Sequence, residues 1–147
     1  MITELEQETL DIDWFFISGE SIAFVASGGG KLPASVAKSL ERNQMLASFF
    51  RGLPVRSEII INPDLNSVVT TAIDERYLAD FMHMAERGLY SFDKTVLNNF
   101  SEPHYHLVAR PVTPLKLDQL PAEIREIISE SQYSGDIEST IDTNLIL

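Results

Sequence analysis

The chain contains no cysteine. Disulfides, thiolate nucleophiles and Cys-ligated metals are therefore excluded, and a reducing compartment suits it. Long apolar runs are missing too. Stretches such as Trp14–Ile17 and Ile22–Ala26 fall far short of the roughly 20 residues that a membrane helix needs. The opening, Met1 to Glu8, is acidic and has neither the basic start nor the apolar stretch of a secretion signal. Lys and Arg are scattered singly, so no basic stripe for nucleic acid emerges. No Gly-x-Ser-x-Gly elbow occurs, and only three histidines are present to build a nucleophilic triad. These absences point to a cytoplasmic protein with no nucleic-acid or membrane partner.

What is present is acid, unevenly placed. The net charge is −11, from 22 acidic and 11 basic residues. Residues 1–30 hold six acids and no Lys or Arg; residues 126–147 hold five acids and again no Lys or Arg. The stretch 31–125 is charge-balanced. An excess of this kind repels polyanions and attracts basic partners, though it also serves plain solubility.

At 147 residues the chain suits one domain, 1–147, with 1–10 and 131–147 as loosely packed ends. Trp14–Ile17 and Ile22–Ala26, separated by Ser18-Gly19-Glu20-Ser21, read as an N-terminal hairpin. Trp14 and Phe15 point to opposite faces there, which leaves one of them free to anchor an interface. Pro33 opens a helix whose apolar face runs through Val36, Leu40, Asn43, Ala47 and Phe50; Gly52 is a left-handed stop. Ile59–Ile61 is a short strand and Pro63–Asn66 a turn. A second helix spans Ile73–Arg87, with Thr71 and Asp74 as an imperfect capping box and Gly88 closing it. Leu89–Asp93 alternates. His104–Arg110 is a strand, and Pro121 opens a third helix carrying Leu120, Ile124, Ile127 and Ile128. In the tail, Ile137, Ile141 and Leu145 are available for docking. The expected fold is α+β: a mainly antiparallel sheet of about four strands, with about three helices on one face.

Two local motifs suggest chemistry. Ser27-Gly-Gly-Gly-Lys31 lies between strand and helix, where a phosphate loop would sit. The Walker pattern fails, because Val25 and Leu32 occupy its Gly and Ser/Thr positions, and Pro33 breaks the dinucleotide fingerprint. A flexible connection is the simpler reading. His104-Tyr105-His106 puts two imidazoles on one strand face, a two-ligand arrangement that lacks a third partner; Glu102 and His83 are the nearest suggestions. A small metal-dependent enzyme built on His104 and His106 is thus the alternative to a binding protein, and a structural or adaptor subunit is a third. No metal or cofactor is expected.

Asp13-Trp14-Phe15, Gly19, Ile22-Ala23-Phe24, Gly28–Gly30, Leu32–Val36, Ser39, Phe49-Phe50, Leu53-Pro54, Arg87–Asp93 and Leu120–Ile124 together resemble small bacterial immunity-type proteins encoded beside polymorphic or contact-dependent toxins. The resemblance covers about residues 11–128 and carries no active-site residue. It implies an inhibitor of a toxin domain, a nuclease in particular, whose basic surface an acidic protein would meet. The acids expected to contact such a partner are Asp11, Asp13, Glu20, Glu126, Glu130, Asp136 and Glu138. The sequence leaves the oligomeric state open.

Overall fold

The computed structural model describes residues 1–68 and 73–147. β1 (Asp13–Ser18) and β2 (Ser21–Ala26) form the expected hairpin, paired from Asp13↔Ala26 to Ser18↔Ser21. Gly19 sits in the turn at φ +59°, the left-handed conformation that tight hairpin turns require and that glycine adopts without strain. β4 (Tyr90–Lys94) then lies parallel to β2, and β5 (His104–Pro111) runs antiparallel to β4. Two short strands share the far side of β5 end to end. β6 (Thr140–Asp142) takes His104–His106, and β3 (Ile59–Ile61) takes Ala109–Pro111.

The protein is α+β, but its sheet is mixed and six-stranded. The expected four mainly antiparallel strands undercount it in two places. The alternating Leu89–Asp93 stretch is a central strand, and the tail contributes another. The parallel β2–β4 pairing follows from the long helical crossover between them, which returns the chain in the same direction.

Six α-helices occur among the described residues: α1 (Glu4–Thr9), α2 (Ala34–Ala37), α3 (Leu40–Arg51), α4 (Leu65–Val68), α5 (Glu75–Glu86) and α6 (Ala122–Ile128). The single helix expected after Pro33 is broken at Ser39. That residue is extended, at φ −150°, and its hydroxyl accepts the Arg42 N–H at 3.1 Å as an N-cap. Serine competes for backbone groups in this way at helix starts. Gly52 is right-handed at φ −83°, so α3 ends without the left-handed stop that was expected. Asp74 caps α5 by accepting Tyr77 N–H at 2.8 Å; Thr71, its expected partner, lies outside the described residues. Gly88, at φ +97°, does close the segment after α5, with Leu115 pressed against it.

Both faces of the sheet are covered, which corrects the expectation of helices on one face. Phe15, Phe24, Phe50, Phe81, Met84 and Ile128 fill the core under α3, α5 and α6. Trp14, Phe16, Val25, Phe92, Tyr105 and Ile141 fill a second core, closed by Ile2 ahead of α1, by Leu32 and Val36 around α2, and by the tail. Doubly buried strands read as unbroken apolar runs, which is the pattern of β1 and β2. Trp14 and Phe15 are therefore both buried, at 0% and 1% exposure, and neither can anchor an interface.

The tail is a strap. Ile17 N–H donates to Ser131 O at 2.9 Å, and Tyr133 N–H donates to Ile17 O at 2.8 Å, an isolated bridge on the outer edge of β1 at Ile17. The chain then reaches β5, where Leu107 N–H donates to Ser139 O at 2.8 Å. It returns so that Ile146 bridges Tyr133. Ile141 is buried and Ile137 and Ile146 pack beside it, whereas Leu145 is exposed rather than docked.

Candidate acidic interface

The strap decides where the acid goes. Because residues 131–135 pair with the end of β1, the two acid-rich segments meet. Ser18 Oγ donates to Gly135 O at 2.7 Å, which sets the hairpin turn carrying Glu20 beside Asp136. Ile137 turns inward to the second core, so its neighbours Asp136 and Glu138 stay exposed. Leu117 N–H donates to Glu20 O at 3.0 Å and brings exposed Asp118 to the same tip, alongside Lys116. Asp118 lies in the charge-balanced part of the sequence, and only the contact across the turn identifies it.

The other expected contact residues divide differently. Glu126 is exposed on α6, near the start of the strap. Glu130 pairs with Lys38 and Arg42, each at 3.1 Å, and these cations, Lys38 first, hold its carboxyl below the usual range. Asp11 and Asp13 lie at the opposite end of β1 from Glu20, about 17 Å away along the strand. Asp11 accepts the Gly28 N–H at 2.9 Å. Asp13 pairs with Arg51, which also grips Asp80 at 2.8 and 3.0 Å. Burial raises the Asp13 carboxyl against the opposing pull of Arg51. Glu20 and Asp136 are thus brought together at the tip, Glu138 lies further along the strap next to Ser139 and its bond to β5, and Asp13 and Glu130 are each paired with cations of this chain.

A second polar group was invisible in the sequence. Asp13, Ala26, Asp93 and His106 lie abreast across β1, β2, β4 and β5. Tyr77 Oη donates to Asp93 at 2.7 Å, and burial raises the Asp93 carboxyl. His106 is 2% exposed. Its Nδ1 meets Thr95 Oγ1 at 3.0 Å, its Nε2 has no partner among the described residues, and burial lowers its pKa to about 4. His104, by contrast, is half exposed and bonded to the Glu102 carboxylate, with Asp142 4.0 Å away. The two imidazoles sit in opposite environments. Among the described residues no group of three or more His, Asp or Glu could hold a metal ion.

The glycine loop is occupied by its own protein. Gly28 N–H donates to Asp11, Gly30 N–H to Ser27 O, Lys31 N–H to Phe100 O and Leu32 N–H to Gln7 Oε1. Amides already bonded, with a carboxylate among them, make a poor cradle for phosphate. The glycines serve packing instead: a Cβ on Gly30 would lie 2.5 Å from Tyr105 Oη and 3.1 Å from Lys94 Nζ. Lys94 is buried beneath the loop, with Nζ donating to Glu102 O at 2.6 Å and lying 5.3 Å from the Tyr105 ring centre.

The chain is thus an α+β protein with a double-faced mixed sheet and an acidic strap. Comparison with protein-family models, curated proteins and solved structures finds no match. No helix among the described residues is long and apolar enough to cross a membrane.

Proposed function

We propose that this chain is a cytoplasmic binding protein of the immunity type, which neutralises a basic toxin domain through its acidic hairpin and strap. One observation carries this reading: the bonding of the strap to the end of β1, which brings exposed Glu20 and Asp136 together and leaves exposed Glu138 further along the same strap. The patch uses carboxylates with no ion pair among the described residues, so their field extends into solvent. A polyanion-cleaving domain carries the opposite charge, and such pairs associate by electrostatic steering. The partner is a protein, and no catalytic group is required of this chain.

The test is binding to a basic nuclease domain encoded by the adjacent gene, measured across salt concentrations. The expected result is an association rate that falls as salt rises and falls again in Glu20→Lys/Asp136→Lys/Glu138→Lys. Absence of a complex, or an affinity indifferent to both salt and charge reversal, sinks the proposal.

A further inference from the structure

Ser27 N–H donates to Ile12 O at 3.0 Å, so the even-numbered positions of β1 bond to β2. The odd-numbered ones, Asp13, Phe15 and Ile17, turn their N–H and C=O groups to the outer edge. Asp13 and Ile17 are met there by protein. Asn43 Nδ2, from α3, donates to Asp13 O at 2.8 Å, and Ile17 exchanges bonds with Ser131 and Tyr133 of the strap. Phe15, between them, is 1% exposed, and its outward N–H and C=O are bonded to no described residue. Buried backbone groups are rarely left so, because stripping water from them without replacing its bonds is costly. A cavity of about 20 Å³ lies against Phe15, with Ser35, Asn43 and Ser131 among its lining. These side chains have bonding capacity to spare. Asn43 is 7% exposed, and with Nδ2 spent on Asp13 its Oδ1 accepts nothing among the described residues. Ser131 is 5% exposed, and its Oγ lies 2.7 Å from Ser35 Oγ. In that pair one hydroxyl donates to the other, which leaves the acceptor's own proton to place.

We propose that this cavity binds a single water molecule, which completes the edge of β1 between Asn43 and the strap. The water accepts the Phe15 N–H and the spare serine proton, and donates to Asn43 Oδ1 and Phe15 O. Buried waters make about three such bonds, whereas apolar cavities stay dry. Size selects the same occupant. A water needs roughly 10–15 Å³, and a phosphate or a sugar ring does not fit the space. Charge agrees. Lys38 and Arg42 line the same cavity and repel a cation, while Glu130 already pairs with both and leaves them little to offer an anion. A small neutral molecule that both donates and accepts is what remains. The site ties β1, α2, α3 and the root of the strap together through bonds that they do not make directly, and it closes this part of the β1 edge to a strand from outside. It is built whichever partner the acidic tip takes, so it stands or falls apart from that reading.

Water–protein NOE and ROE spectra of the full chain, isotope-labelled, test it. The expected result is a cross-peak between water and the Phe15 amide, with NOE and ROE of opposite sign, the mark of a water held at least as long as the molecule tumbles. Serine hydroxyl protons exchange with solvent and can mimic such a peak. Magnetic relaxation dispersion of the water oxygen, to which hydroxyls contribute nothing, therefore supplies the count of long-lived waters. Ser131→Val puts a methyl group into the cavity, so the Phe15 cross-peak should disappear and the dispersion should lose one long-lived water. Ser35→Val fills the same space from α2 and takes over the test if Ser131→Val does not fold, which circular dichroism checks. A wild-type Phe15 amide without the cross-peak overturns the proposal. A cross-peak or a dispersion amplitude that survives unchanged in a folded valine variant overturns it equally.

Discussion

His106 shows what a single residue costs when the fold needs it neutral. Burial lowers its pKa to about 4, so the folded chain refuses a proton that the unfolded chain accepts near pH 6.5. Its contribution is intact above that pH and is lost as pH falls from about 6.5 toward 4. Asp13 and Asp93 act in the opposite sense, because burial raises their carboxyls and the folded state then binds protons more readily than the unfolded one. Comparison with His106→Gln isolates the imidazole. The wild-type melting temperature should fall faster than the variant's as pH drops from about 6.5 toward 4, the wild type losing on the order of 2 kcal/mol more across that window. Gly88 is the other residue fixed by local geometry. It adopts φ +97°, and a Cβ would lie 2.5 Å from Leu115 N. Gly88→Ala should cost about 2–3 kcal/mol in denaturant unfolding, since strain and collision combine.

At the scale of elements, hydrophobic patterning was legible wherever one segment answers to one environment. The hairpin, α5 and α6 follow from apolar spacing, capping residues and turn glycines. The helix after Pro33 was misread because its apolar spacing runs on through Ser39, and only backbone geometry shows the cap there. In the tail Ile137 and Ile141 dock as expected, but Ile146 takes the place expected of Leu145, because three apolar residues so sparsely spaced show no period that fixes which side faces the core. The strap therefore carries real stability. Ile141→Ala should destabilise by about 3 kcal/mol, measured by chemical denaturation, because Ile141 is 1% exposed and its cavity cannot collapse between β5 and the core. A result near zero would mean that the strap detaches without loss.

At the scale of the whole molecule, the distribution of charge matters more than its total. Seven acids were expected to face a partner, and the fold separates them by their neighbours. Glu20 and Asp136 meet at the tip with Glu138 further along the strap, whereas Arg51 holds Asp13 and the Lys38–Arg42 pair holds Glu130. Reversing Asp13 or Glu130 should therefore lower stability, while reversing Glu20, Asp136 or Glu138 should leave the melting temperature nearly unchanged. Melting curves of the single variants at low and high salt check this division. The tip variants should respond to salt as the wild type does.

Composition and local pattern alone determined that this is an α+β chain without disulfide or thiolate chemistry, with an N-terminal hairpin and acid concentrated at its two ends. Those properties belong to residues and their near neighbours, where periodicity, turn chemistry and charge act over a few positions. Tertiary structure alone decided that both sheet faces are buried, that β2 and β4 run parallel, that the acidic ends meet, and that His104 and His106 sit in opposite surroundings. Each of these depends on which distant segments pair, as Ile17 does with the strap. Backbone bonds that close such contacts leave no periodic trace in the sequence.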